Sequence, residues 1–135
     1  MDATSNSWNS RRGLGREIPS PLIPALERAI QEFVHDLVVD NFEGLVRDGR
    51  AGEATAEELR QSVARLYPRR LIDLPDAAWQ YADAIALDDS NTLWHVLVDL
   101  WTAEEGRSDY SLEVTATVLP NGDDVTVTFE DLHML

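Results

Sequence analysis

Near Asp83 the spacing of apolar residues changes from helical threes and fours to strict alternation, and this change constrains the fold more than any other feature of the chain. Before it, Leu22, Leu26, Ile30, Phe33, Val34 and Leu37 follow Pro21 and Pro24, which predicts an amphipathic helix opened by the prolines. Phe42, Leu45 and Val46 predict a shorter helix ending near Arg47, where RDGRAGEA interrupts the pattern. Thr55-Ala-Glu-Glu58 has the form of a capping box, and Leu59, Val63, Leu66 and Tyr67 form the buried stripe of a third helix that Pro68 stops. The residues after Pro75 supply one or two further turns.

Beyond Asp83, Trp94, Val96, Val98 and Leu100 alternate with Leu93, His95, Leu97, Asp99 and Trp101. Tyr110, Leu112, Val114, Ala116 and Val118 then alternate with polar residues, as do Val125, Val127 and Phe129. ADAIALDD offers a further strand in front. The expected fold is α+β, with N-terminal helices packed on one face of a three- to four-stranded antiparallel meander sheet. Residues 1–18 carry no periodic pattern and are read as a flexible N-terminal arm; residues 19–135 form a single domain.

Facing residues of an antiparallel pair share a side of the sheet, so the alternation also sets the loop lengths. Apolar positions are even in both of the first two long strands, which requires an odd loop. Glu104-Glu105-Gly106 meets this, with Gly106 supplying the left-handed third residue of a three-residue hairpin. Ala103 then faces Arg107, Leu100 faces Tyr110, Val98 faces Leu112, Val96 faces Val114 and Trp94 faces Ala116. Arg107 can stack on Trp101 and pair with Asp109 or Glu105. The charged run EEGRSD is thereby explained mainly as a turn, although Glu104, Glu105, Arg107, Asp109 and Trp101 remain the surface set best placed to bind a partner.

The following hairpin needs an even loop, and Asn121-Gly122 is a strong two-residue signal. Val118 faces Val125, Ala116 faces Val127 and Val114 faces Phe129. Continued unbroken, this register sets Glu113 against Glu130 and turns Asp131 and His133 inward near Tyr110. A β-bulge at Glu130 or Asp131 instead buries Leu132 and Met134 and sends Asp131 and His133 to water, leaving the histidine near its ordinary pKa. Burying two more apolar side chains gains about 1.5–3 kcal/mol each, whereas two buried polar groups must recover their desolvation, so the bulge is favoured.

Cysteine is absent, which removes disulfides and thiolate chemistry, and a reducing cytoplasm is the expected setting. No signal peptide or eighteen-residue apolar span is present, so no membrane role is expected. Of the net charge of −14, most lies after residue 75, where thirteen acids face a single arginine, Arg107. Such a surface repels nucleic acid and attracts a basic protein partner. The basic cluster RRGLGR in the arm is more plausibly an intramolecular contact to the acidic half. The strand from Leu93 to Trp101 is apolar on both faces, so Leu93, Leu97 and Trp101 need a cover: a second copy in a homodimer by preference, Trp8 of the arm, or a ligand.

The stretch LWTAEEGRSDYSLEV and the closing FEDLHML resemble an uncharacterised family of small bacterial proteins whose signature has the form LWTxEEGRSDLxL followed by DLHxL. Tyr110 stands where that pattern has leucine, and the resemblance covers about residues 20–135. It implies a shared fold and no reaction. Helices followed by a curved sheet are also similar in layout to cystatin-like and NTF2-like domains.

Nucleotide, phosphate, zinc-protease and serine-hydrolase motifs are absent from the sequence. His35, His95 and His133 stand far apart, so neither a metal nor a cofactor is expected; a metal would have to join His95 or His133 to Asp99, Glu113 or Asp131. The leading expectation is a non-enzymatic acidic interaction protein, of inhibitor or immunity type, binding a basic protein through its C-terminal sheet. The alternative is a small-ligand or enzymatic pocket between helices and sheet, using Asp131 and His133 as acid and base beside Tyr110.

Overall fold

The computed structural model describes residues 8–10 and 17–134. The first long helix, α1 (Ile23–Val38), carries Pro24 in its first turn and buries Leu26, Ile30, Phe33, Val34 and Leu37, the stripe that helical spacing requires. A short helix α2 (Phe42–Arg47) follows, burying Phe42 and Leu45. Val46, expected inside, is instead largely exposed, because so short a helix turns only part of its surface to the core. In α3 (Ala56–Ala64) the capping box forms: the Glu58 amide donates to the Thr55 hydroxyl and the Thr55 amide to the Glu58 carboxylate. Tyr67 is 82% exposed, not buried, since α3 ends at Ala64 and the helical spacing no longer applies three residues later.

Two 3₁₀ stretches complete the helical elements of the described residues: Ser20–Leu22, leading into α1, and Asp76–Tyr81, which sets Ala78 and Trp79 into the core. After the second come β3 (Asp83–Ala86), β4 (Leu93–Thr102), β5 (Gly106–Val118) and β6 (Val125–Met134), the antiparallel meander that alternation predicts. Two-residue strands extend it: β2 (Leu71–Ile72) pairs with the end of β4, and β1 (Asn9–Ser10) runs parallel to β3. Elements this short have no periodicity to read. The helices cover one face of the sheet, where Phe33 of α1 stacks on Phe129 of β6 with ring centroids 6.2 Å apart. Trp94, Val96, Val98, Leu100, Leu112, Val114 and Leu132 fill the layer between. Among the described residues, no helix is long and apolar enough to cross a membrane.

Part of the segment read as an arm is described. Trp8 stacks on Trp79 at 5.2 Å and donates its indole N–H to Glu27 of α1, so its ring is committed there and not to Leu93 or Leu97. Burial holds the Glu27 carboxyl above its usual range, against the opposing effect of that hydrogen bond. Ile18 is buried in the same core. The cluster RRGLGR lies outside the described residues.

The open edge of β6 is covered. Its Phe129 amide donates to the Arg50 carbonyl at 2.8 Å, and the Arg65 guanidinium donates to the Leu132 carbonyl. Gly52 makes this closeness possible: it sits at φ +62°, and a Cβ there would lie 2.7 Å from the Phe129 carbonyl oxygen. Capping the edge in this way removes a template for strand addition.

Candidate functional site on the open face of the sheet

The β4–β5 hairpin departs from simple turn arithmetic. Thr102 pairs with Gly106 and Trp101 with Arg107, so the turn residues are Ala103, Glu104 and Glu105, and Ala103 does not face Arg107. The expected register returns from Asp99 opposite Ser111 onward, with Val98 on Leu112, Val96 on Val114 and Trp94 on Ala116. Leu100 therefore stands against three residues, Ser108, Asp109 and Tyr110, in place of a simple pair with Tyr110. Ser108 heals this irregularity: its hydroxyl donates to the Leu100 carbonyl at 2.7 Å and accepts from the Tyr110 amide.

Three of the four charges of EEGRSD, those of Glu104, Glu105 and Arg107, are paired within the fold. Glu104 accepts from the backbone amide and guanidinium of Arg70, contacts that pull its carboxyl below the usual range. Glu105 pairs with Arg69, whose guanidinium also lies over the Tyr110 ring. Arg107 pairs with Asp99 at 2.8 Å and stacks over Tyr81 at 4.0 Å, not with Trp101, Asp109 or Glu105 as expected, because the shifted register carries it back toward Asp99. Trp101 packs against Gly106, and its buried indole N–H has no hydrogen-bond partner among the described residues. Asp109 is exposed. The sequence-expected binding set thus splits into a turn clasped to the α3–β2 connection and an ion pair at the edge of the open face.

The second hairpin follows the expected pairs, Val118 with Val125, Ala116 with Val127 and Val114 with Phe129. A bulge then falls at Glu130. It sets Glu113 against Asp131, not Glu130, and pairs Ser111 with His133. Leu132 turns inward and is 1% exposed. Met134, also expected inside, is 62% exposed, since it lies at the strand end beyond the helices' cover. Asp131 and His133 face away from the helices, while Tyr110 donates its hydroxyl the other way, to the Arg65 carbonyl. The three residues of the enzymatic alternative do not share a face.

A different cluster assembles instead. His95 lies diagonally from Glu113 across β4 and β5, and His133 lies diagonally from it across β5 and β6. One Glu113 oxygen meets His95 Nε2 at 3.1 Å, and the other meets His133 Nε2. The hydrogen bond to Glu113 raises the His133 pKa above its ordinary value, outweighing burial, with the Asp131 charge adding to the rise. The expectation of an ordinary pKa for an outward His133 therefore fails, because the outer face holds its own carboxylate. Ligand-capable atoms of Glu113, Asp131 and His133 all lie within 4.8 Å of one another. Sequence spacing could not show this, since the three residues belong to two strands and come together only through the bulged register.

Around the cluster the open face presents Leu93, Leu97 and Ile85, all partly exposed, with Thr115, Thr117, Thr126 and Thr128. Glu130, displaced by the bulge, accepts from the Thr115 hydroxyl at 2.7 Å. A separate groove of about 780 Å³ runs between α1 and β6, lined by Arg28, His35, Asp36, Arg50 and Asp73 among others. Within it Arg50 pairs with Asp36 and Asp48, and His35 Nδ1 lies 3.0 Å from Asp73. Neither Asp131 nor His133 lines it.

A family model described as a domain of unknown function (DUF7668) matches residues 34–135. No curated protein matches the chain, and no solved structure does.

Proposed function

Since the chain belongs to that family of unknown function, we propose from its geometry that it is a non-enzymatic binding domain, docking the open face of its sheet onto a basic protein surface. The carrying observation is the composition of that face: Glu113, Glu130 and Asp131 lie on it with the partly exposed Leu93 and Leu97, while Arg107 and the buried Asp99 neutralise each other. Apolar area beside carboxylates of one charge sign favours a partner of opposite sign and speeds its approach. The lack of cysteine agrees with a reducing cytoplasm as the place of action, and an inhibitor or immunity role is the class such a surface serves. Homodimerisation through Leu93, Leu97 and Trp101 is the competing use of the same face.

Two variants separate these uses. The full chain and its Leu97→Arg variant serve as bait in the native host, with Arg60→Glu on α3 as a control. The proposal expects a partner of high isoelectric point that is lost with Leu97→Arg, is kept with Arg60→Glu, and weakens steeply with salt. A wild-type chain that elutes as a dimer, with Leu97→Arg monomeric and no basic partner retained, replaces it with the homodimer.

A further inference from the structure

We propose that Glu113, Asp131 and His133 form a binding site for one divalent transition-metal ion on the open face of the sheet, with His95 orienting Glu113 from the opposite side. The proposal is independent of the partner reading and stands or falls separately from it.

The first support is convergence. A carboxylate oxygen and an imidazole nitrogen both sit about 2.0–2.2 Å from an ion such as zinc, so donors around one ion lie up to about 4.3 Å apart. The ligand-capable atoms of these three residues lie within 4.8 Å of one another. Small rotations of the exposed Asp131 and the partly buried Glu113 and His133 side chains close that difference.

The second support is the arrangement of charge. Glu113 and Asp131 are direct cross-strand partners, and like charges so placed oppose pairing of the strands. The bulge at Glu130 changes which acid stands there: an unbulged strand would set Glu130 against Glu113, and in this fold Glu130 turns to Thr115 while Asp131 takes its place beside His133. Bulges re-aim side chains next to sites, and here the result is two carboxylates and an imidazole directed at one point. Arg107 offers no relief, being bound to Asp99. A dication between the two strands would convert the repulsion into attraction.

The third support lies in the outer contact. His95 Nε2 is 3.1 Å from one Glu113 oxygen, and the other, hydrogen-bonded to His133 Nε2, is the donor that an ion replacing the proton of that bond would take. Metal-bound carboxylates are commonly fixed by such a second hydrogen bond. The donor set of one imidazole and two carboxylates suits zinc, cobalt, nickel or manganese more than magnesium or calcium, which prefer oxygen alone. Three protein donors leave a coordination position open toward solvent.

The test is titration of the chelator-treated full chain with Co²⁺, read by its visible absorption and by calorimetry. Expected are saturation at one ion per chain, displacement by Zn²⁺, and none by excess Mg²⁺. Affinity should fall about a hundredfold in Glu113→Gln and His133→Gln, and about tenfold in His95→Gln, while His35→Gln binds as wild type. For the unaltered chain, Mn²⁺ should broaden the NMR signals of Asp131 and His133 before those of His35, a readout that needs no variant to fold. Absence of saturation up to millimolar Co²⁺, unchanged affinity in His133→Gln, or broadening that is uniform over all acidic residues would overturn the proposal.

Discussion

The turn at Glu104–Glu105 and the patch at Glu113–Asp131 carry equal formal charge and use it in opposite ways. At the turn every carboxylate has an arginine: Arg70 for Glu104 and Arg69 for Glu105, both from the connection leaving α3. At the patch two carboxylates face each other across a strand pair, and among the described residues it is imidazoles, not arginines, that pair with Glu113. The turn is dense in sequence and closed in space; the patch is scattered in sequence and open in space. A run of charged residues therefore locates a clasp as readily as a site, and what distinguishes them is whether arginines of the same chain have already answered the charge.

The largest effect should come from breaking the register that builds the patch. Leu132 is the inward residue just past the bulge, so Leu132→Ala should cost about 2–5 kcal/mol in urea denaturation, whereas Met134→Ala should stay within about 0.5 kcal/mol. Equal, small losses for both would mean the strand is not bulged. Next comes the turn's own irregularity. Ser108→Ala leaves the Leu100 carbonyl and the Tyr110 amide without the hydroxyl that links them, a loss of about 1–3 kcal/mol by the same measurement. By contrast, Glu105→Gln removes a solvent-accessible pair with Arg69 and should cost less than about 1 kcal/mol, with the difference from wild type shrinking as salt is raised. A Glu105→Gln loss exceeding that of Ser108→Ala would show that the clasp, and not the hydroxyl, holds this end of the sheet.

The same contrast explains how much of the molecule could be read in its residues. Helices α1 to α3, the three long strands and the Asn121-Gly122 register follow from periodicity and turn chemistry, because burial of one face enforces both. The bulge at Glu130 or Asp131 was legible too, from an expected apolar gain at Leu132 and Met134 of which only the Leu132 half is realised. What stayed hidden depends on pairings that no local pattern encodes. Ser108 reads as an ordinary strand serine until Leu100 stands opposite it. Arg107 reads as a partner for its own neighbours, yet its pair, Asp99, lies eight residues back on the facing strand. His95 and His133 meet only because both are diagonal to Glu113, a relation that needs two registers and one bulge to be known at once.

The smallest effect, and the sharpest for the patch, is the titration of His133. Its ring bonds to Glu113, with the Met134 carbonyl and the Asp131 charge also favouring the protonated form, while His95 shares Glu113 from the far side. The folded-state pKa therefore lies above the unfolded value of about 6.5. A raised pKa means the folded protein holds the proton more tightly than the unfolded chain. The stabilisation is then complete below about pH 6.5 and is lost as pH rises through the folded pKa. In metal-free buffer, the wild-type melting temperature should fall slightly across that interval, and the NMR titration of the His133 ring should have its midpoint above 6.5. Glu113→Gln should bring the midpoint down and flatten the melting curve over the same interval, whereas Glu105→Gln, altering the closed turn, should change neither. A His133 midpoint at or below 6.5 in the wild-type chain would mean that Glu113 does not hold the ring, and the patch would lose the contact on which its difference from the turn depends.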